Sequence, residues 1–197
     1  MSPPPCAVLA ALSAALFCAA AAYAAAVASG GARFAPLGPD TPAPRWIKAS
    51  GIAALPSYAL ASVGVPVYGC AHFSGCALYH AAGAAFFVLE GAWLLLHVCG
   101  QRRPDGVAGG LGAELCVLAA SAASLTACFA AGFTCGPGDD DDDNGAPTPW
   151  FWPLYSAVLG VPVANTWLND LVFYMKCRYQ ATYTPSATNA AHLLSFA

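Results

Sequence analysis

Carboxylates inside apolar stretches are the side chains of this sequence best suited to chemistry. Glu90, Glu114 and Asp170 each lie within or at the edge of a long apolar segment. In a bilayer, an ionised carboxylate costs about 2.5 to 3.5 kcal/mol on insertion scales. Such acids either form a proton or ion relay or fix the helix packing through interhelical pairs. We expect the packing role, because basic side chains near the segment ends can snorkel towards them.

The histidines do not form a predicted metal or haem site. His72, His80 and His97 lie on one apolar segment or at its edges, and His192 lies near the carboxyl terminus. Bis-histidine haem ligation in a helix bundle needs a facing pair of histidines on two different helices, which this chain does not offer. We therefore expect His80 to form a hydrogen bond that supports helix packing. Serine triads, nucleophile elbows and phosphate loops are not evident. The sequence predicts a protein that is not an enzyme and has no cofactor.

Composition requires an apolar solvent for most of the chain. The chain has 197 residues, 58% hydrophobic and 9% charged, and half of its 10 acidic residues are in the run Asp139–Asp143. Soluble domains carry roughly 25% charged residues, so an independently soluble enzyme is excluded. The 7 Lys and Arg residues are scattered and make no basic face, which disfavours nucleic-acid binding. We expect the aspartate run to be a solvated loop and not a calcium site.

Long charge-free gaps predict an all-α, polytopic transmembrane bundle, because a bilayer core needs about 20 helical residues. The predicted spans are 7–29, 51–69, 73–99, 107–135 and 150–175. Residues 1–178 would form the bundle with short loops, and residues 179–197 a cytosolic tail.

Two of these spans have features that weigh against them. The first could be a cleaved signal peptide, but no basic region precedes it. The second contains Pro56 and Pro66. Proline is tolerated in a membrane bundle because neighbouring helices satisfy the freed carbonyls.

The positive-inside rule favours five spans over four. With five spans all 7 basic residues fall on one side, the cytosol, and the aspartate run falls on the other. With four spans, Arg33, Arg45 and Lys48 would lie outside. The amino terminus is therefore predicted outside and the carboxyl terminus inside.

The cysteines divide by position. The 9 cysteines show no CxxC pair or zinc-ligand spacing. Five are expected to be small buried hydrophobes: Cys6, Cys18, Cys99, Cys116 and Cys128. Cys70, Cys76 and Cys135 fall on the outer side, where a bridge from Cys135 to Cys70 or to Cys76 is expected.

Four short motifs give the chain a resemblance to a known family. They are Pro3–Cys6 before an apolar helix, Arg45–Lys48, Leu78–Phe86 followed by Gln101, and Trp167–Tyr174. Together they resemble the damage-regulated autophagy modulator (DRAM) and transmembrane protein 150 family, which has six spans. The matching positions within them are Trp46, His80, Trp167 and Asp170.

The chain also departs from that family. Thr166 stands where the family has a glutamate, and the family's first span and first luminal loop have no counterpart. We expect either a divergent five-span member or a sequence truncated at its start.

The resemblance implies a membrane regulator or scaffold. Family members modulate autophagy in lysosomal or endosomal membranes, or organise a phosphoinositide kinase at the plasma membrane. The implied partners are the lipid bilayer and a membrane or cytosolic protein, and the oligomeric state is undetermined. Two alternatives stay open: a small transporter or channel that uses the intramembrane acids, and a MARVEL-type tetraspan vesicle or junction protein.

Overall fold

Helices supply all the regular secondary structure in the part of the chain that the structure describes. The computed structural model describes residues 5–28, 45–101, 111–136 and 148–183. The helices are α1 (Pro5–Ala28), α2 (Arg45–Ala71), α3 (Ala77–Gln101), α4 (Leu111–Cys135), α5 (Phe151–Tyr155) and α6 (Val161–Tyr183), and a π-helical turn (Ser156–Gly160) joins α5 to α6. The predicted all-α class is confirmed for these residues.

Three of the helices are long and apolar enough to cross a membrane. The apolar windows are Pro5–Ala22 in α1, Ala77–Leu96 in α3 and Ala113–Cys135 in α4. They suggest an integral membrane protein, as the composition predicts. The helices α2 and α6 have similar lengths, 27 and 23 residues, but are more polar.

Helix boundaries differ from the predicted spans at the start of α2 and at the end of α6. The helix α2 begins at Arg45, before the predicted start at 51, so part of the predicted loop is helical. The helix α6 continues to Tyr183, past the predicted end at 175 and into the predicted tail. Residues 107–110, the predicted start of the fourth span, lie outside the described residues.

The predicted start of the third span at 73 is wrong, because residues 72–76 form a turn. The Phe73 amide donates to the Tyr68 carbonyl at 3.1 Å, and the Cys76 amide donates to the Phe73 carbonyl at 2.9 Å. These bonds reverse the chain after α2, and α3 begins only at Ala77.

The helices pack as a closed ring in which neighbours run in opposite directions, except α1 and α3, which run in the same direction. The helix α1 contacts α2 and α3, α3 contacts α4, α4 contacts α6, and α6 returns to α2. Disulfides Cys6–Cys70 and Cys76–Cys135 join the start of α1 to the end of α2, and the turn before α3 to the end of α4. We call this end of the bundle the disulfide end.

The last segment of the ring, formed by α5, the π-helical turn and α6, also starts at the disulfide end. The Phe151 ring lies 4.9 Å from the His72 ring and 5.9 Å from the Tyr68 ring, centroid to centroid. The Tyr155 ring contacts the Tyr68 ring edge to face, with the centroids 5.0 Å apart. The last helix therefore runs from the disulfide end towards the opposite end.

The polarity of α2 and α6 is inside out relative to a helix of a soluble protein. Their exposed side chains, where described, are all apolar or aromatic: Pro56, Ala59, Leu60, Val63, Val67 and Ala71 in α2, and Val161, Ala164, Trp167, Leu168, Leu171, Tyr174 and Met175 in α6. The serines Ser57 and Ser62 and the hydroxyl residue Thr166 are buried instead. A soluble helix has its polar face outward, so this pattern fits a lipid-exposed surface.

Pro66 shows how the bundle accommodates proline inside α2. Proline has no N–H, so the carbonyl of the residue four positions earlier, Ser62, loses its helical donor. The hydroxyl of the buried Ser13 on α1 donates to that carbonyl. A neighbouring helix thus satisfies the freed group, as expected for a membrane bundle.

Pro162 gives a physical reason for the π-helical turn that precedes it. This proline cannot donate to the carbonyl of Val158, four residues earlier. A π-turn moves the donor one residue further along the chain. The turn Ser156–Gly160 also places Val158 and Leu159 against Gly64 of α2, where an added Cβ would lie 2.7 Å and 2.9 Å from them.

Gly132 lets Tyr155 approach the backbone of α4. An added Cβ at Gly132 would lie 2.1 Å from the Tyr155 hydroxyl, which donates to the Phe129 carbonyl at 2.8 Å. Gly136, four residues on, has φ +67° and ends the helix. The two glycines therefore serve packing and termination within this chain.

Candidate functional site

The centre of the candidate site is Glu90, a carboxylate buried between helices. It lies on α3 with 2% of its surface exposed. The Ser121 hydroxyl on α4 donates to Glu90 Oε1. The Tyr58 hydroxyl on α2 also hydrogen-bonds to Glu90. Three helices thus converge on one carboxylate about 20 Å along α3 from its start at the disulfide end.

Asp170 brings α6 to the same site. Its carboxylate is half-buried and close enough to interact electrostatically with both Glu90 and Tyr58. Within the described residues, Asp170 Oδ2 and Asn169 Nδ2 are buried without a hydrogen-bond partner. We call Tyr58, Glu90, Ser121 and Asp170 the polar cluster.

The polar cluster brings two of the three predicted intramembrane acids together. Glu114, the third, is buried in the first turn of α4, seven residues or two turns before Ser121, and it interacts with other residues. Whether these acids pair with basic side chains stays a prediction, because the side chains of all Lys and Arg residues lie outside the described part.

The arrangement permits two kinds of chemistry. Hydroxyl donors on a buried carboxylate fix the register of α2, α3 and α4, because breaking the bond leaves a polar group in an apolar interior. Glu90 and Asp170 also interact electrostatically inside the bundle, as two acids of a proton or ion relay would.

His80 does not form the hydrogen bond between helices that the sequence predicts; it contacts the turn before its own helix. The imidazole is buried, and Nε2 lies 3.1 Å from the Phe73 carbonyl oxygen. This contact ties the first turn of α3 to the turn in front of it. In the described part of the chain His80 Nδ1 has no hydrogen-bond partner.

The other histidines of this region are not near the polar cluster. His72 is exposed at the disulfide end, against Tyr68 and Phe151. The side chain of His97 and the whole of His192 lie outside the described residues. Among the described residues no group of three or more His, Cys, Asp or Glu side chains could hold a metal ion. Residues 139–143, the aspartate run, are not among them.

Trp167, one of the motif positions, joins α6 to α4. Its indole Nε1 donates to Thr126 Oγ1 at 3.0 Å, and Thr126 in turn donates to the Ala122 carbonyl. Thr166 is buried and donates to the Pro162 carbonyl at 2.8 Å, within its own helix. The side chain of Trp46, the remaining motif position, lies outside the described residues.

The cysteine pairing corrects one expectation. Cys135 is bonded to Cys76, one of the two partners left open by the sequence. Cys70 is bonded to Cys6, which the sequence analysis took for a buried hydrophobe. Cys6 opens α1 as Cys70 nears the end of α2, and two neighbouring antiparallel helices bring these ends together.

Cys18, Cys116 and Cys128 are free thiols. Cys128 is buried in the core, as expected, whereas Cys18 and Cys116 are exposed on the outer surface of α1 and α4. The prediction of burial was therefore wrong for these two, because alanine-rich helices leave most of their surface uncovered.

Sequence reasoning missed Tyr58, Ser121 and Ser13. Each is an ordinary residue of an apolar helix, and only the register between helices makes it a partner of Glu90 or Ser62. The one local signal was Pro66, which predicts an unpaired carbonyl at Ser62 and hence a donor nearby.

Comparison with known proteins gives no identification. No protein-family model, no curated protein and no solved structure matches the chain.

Proposed function

We propose that this chain is a five-span membrane protein that acts as a regulator or scaffold and not as an enzyme. The resemblance to the DRAM and transmembrane protein 150 family is the source of the proposed role. That role is modulation of autophagy in lysosomal or endosomal membranes, or organisation of a phosphoinositide kinase at the plasma membrane. The partner would be a membrane or cytosolic protein.

One observation supports the proposed topology: both disulfides lie at the end of the ring opposite the basic residues of the described helices, Arg45, Lys48, Lys176 and Arg178. Disulfides persist in oxidising compartments, and Lys and Arg are retained on the cytosolic side. The basic connections 29–44 and 102–110 follow α1 and α3, whose starts are at the disulfide end. Redox chemistry and charge therefore support the same orientation independently.

The inside-out polarity of α2 and α6 supports the count of five. Over its whole length each is less apolar than α1, α3 or α4. Yet each directs apolar side chains outward. Each packs against one of the more apolar helices, α2 against α1 and α6 against α4, and the two also pack against each other. A helix surrounded by lipid has this arrangement, because the polar groups find partners only within the bundle.

The regulatory role is tested by removing charge from one cytosolic connection. We expect production of the chain in starved cells to change autophagic flux, or to change the plasma-membrane pool of phosphorylated phosphoinositide. The double variant Arg102→Gln/Arg103→Gln should lose most of that effect, because a cytosolic partner would contact this connection.

The matched control is Arg102→Lys/Arg103→Lys, which keeps both positive charges and should retain the effect. Unchanged flux and unchanged phosphoinositide with the unmodified chain, at normal membrane levels, would contradict the proposed role.

A second candidate function, proton or ion transport, is favoured by the polar cluster. Glu90 and Asp170 interact electrostatically within the bundle, and Asp170 Oδ2 has no hydrogen-bond partner in the described part. In proteoliposomes with an internal pH dye, a transporter would dissipate an imposed pH gradient. Glu90→Gln would abolish that leak while leaving the protein folded. A gradient as stable as in empty vesicles rules this candidate out.

A further inference from the structure

The two cystines of the disulfide end differ in how their cysteines are exposed. Both cysteines of the Cys6–Cys70 bond are half-buried. In the Cys76–Cys135 bond, by contrast, Cys76 is buried, with 5% of its surface exposed, and Cys135 is exposed. A thiol in solution therefore reaches this second cystine at Cys135 and not at Cys76.

Cys76 lies at the amino-terminal cap of α3. Its carbonyl accepts a hydrogen bond from the His80 amide at 3.2 Å, which is the first bond of the helix, and its Sγ accepts one from the Tyr79 amide at 3.4 Å. The partial positive charge of a helix start stabilises a thiolate. The fold thus stabilises the negative charge that Cys76 takes when its S–S bond breaks.

Cys135 lies at the opposite kind of helix terminus. It is the last residue of α4, where the partial negative charge of the helix disfavours a thiolate. In thiol–disulfide exchange the sulfur that forms the more stable thiolate leaves faster. Attack at Cys135 with departure of Cys76 is therefore favoured both by exposure and by charge. Cys6 also lies near a helix start, but attack on its partner Cys70 is hindered because that residue is half-buried.

We propose that Cys76–Cys135 is an exchangeable cystine that a dithiol reductant opens at Cys135, whereas Cys6–Cys70 is a structural bond. One thiolate of the dithiol attacks Cys135 Sγ and forms a mixed disulfide with it, and Cys76 leaves as a thiolate that takes up a proton. The second thiol of the dithiol then attacks the reductant's sulfur in the mixed disulfide, and Cys135 leaves. The dithiol is oxidised to a disulfide by two electrons, and its two protons end on Cys76 and Cys135.

Opening this cystine releases the end of α4 from the turn before α3 and leaves the bundle folded. The turn keeps its hydrogen bonds from the Phe73 and Cys76 amides, and the Tyr155 hydroxyl still donates to the Phe129 carbonyl of α4. In the proposed topology the disulfide end lies in an oxidising compartment, so the cystine stays closed until a reductant acts. The inference goes beyond the proposed regulatory role and does not depend on it.

The test compares the two cystines in the purified full-length protein in detergent micelles, after the free thiols are blocked with N-ethylmaleimide. The protein is exposed to dithiothreitol for increasing times and quenched with acid. The new thiols are labelled with isotopic N-ethylmaleimide and located by peptide mass spectrometry. Cys76 and Cys135 should be labelled about tenfold faster than Cys6 and Cys70, with the helix content unchanged. Equal rates, or earlier opening of Cys6–Cys70, overturn the proposal.

The direction of attack is tested with glutathione, a monothiol that stops at the mixed disulfide. Acid-quenched samples should carry glutathione on Cys135 and a free thiol on Cys76. Glutathione on Cys76, or on neither cysteine, overturns the proposed direction. The control variant Cys6→Ala/Cys70→Ala removes exchange between the two cystines. Cys76–Cys135 should open at the same rate in this variant, and markedly slower opening contradicts direct attack at Cys135.

Discussion

Single polar side chains in this bundle are explained by the backbone groups they satisfy. Ser13 lies in an alanine-rich helix where a serine has no evident role, yet its hydroxyl contacts the one carbonyl of α2 that Pro66 deprives of a donor. Glu90 likewise is stable in an apolar interior because Ser121 and Tyr58 supply hydroxyl donors. In both cases the partner lies on a different helix.

The pair Ser13 and Pro66 gives a prediction at this scale. Ser13→Ala should lower the free energy of unfolding in mixed micelles by about 0.6 to 1.7 kcal/mol, the measured range for interhelical hydrogen bonds in membranes. In the background of Pro66→Ala, an N–H again faces the Ser62 carbonyl. The same Ser13→Ala change should then cost much less. Equal costs in the two backgrounds would show that Ser13 does not act through Ser62.

Most of the hydrogen-bond partners of the buried polar side chains could not be predicted from the sequence. The acids Glu90 and Asp170 stand out because charge is rare in apolar segments, and their importance was visible at once. Their partners Tyr58 and Ser121 were not, because the register between α2, α3 and α4 is set by packing along their whole lengths. Local patterns carry no such information.

Helices of this protein are held close by glycines at a few defined contacts. Gly64 admits Val158 and Leu159 of the π-turn, whereas Gly132 admits the hydroxyl of Tyr155. Gly91 of α3, by contrast, has no atom within 4 Å of an added Cβ. The chain thus contains glycines required by packing and glycines that are not.

Gly132 and Gly91 form a matched pair for a prediction at the scale of helix packing. Gly132→Ala should destabilise the folded bundle by about 1 to 3 kcal/mol, because α4 and the last helix must separate to admit the methyl group. Gly91→Ala should cause no loss, since alanine favours the helix by up to about 1 kcal/mol and meets no neighbour. Both are measured as unfolding midpoints in the same detergent. Equal midpoints for the two variants would contradict the close approach of Tyr155 to α4.

Span existence followed from the sequence more readily than span boundaries did. Apolar lengths correctly indicated α1, α3 and α4, which have the composition of membrane spans. The reversal between the second and third predicted spans was placed at 70–72, before its actual position at 72–76, because the apolar Phe73 was counted as the start of the next span. The helix α2 was placed too short because Arg45 and Lys48 were taken for loop residues.

At the scale of the whole molecule, the chain has two chemically different ends. The disulfide end carries both cystines and the rings of Tyr68, Phe151 and Tyr155. Within the described helices, Arg45 and Lys48 lie in the first turns of α2, and Lys176 and Arg178 lie late in α6, both away from the disulfide end. The two ends are separated because α1, α3 and α5 start at the disulfide end, whereas α2 and α4 end there.

The most direct test of this account is the location of the two chain termini. Epitope tags at both ends, read with antibodies before and after selective permeabilisation of the plasma membrane and then of internal membranes, report the side of each. We predict the carboxyl-terminal tag in the cytosol and the amino-terminal tag on the opposite, oxidising side. Both tags on one side would contradict the five-span ring and favour the tetraspan alternative.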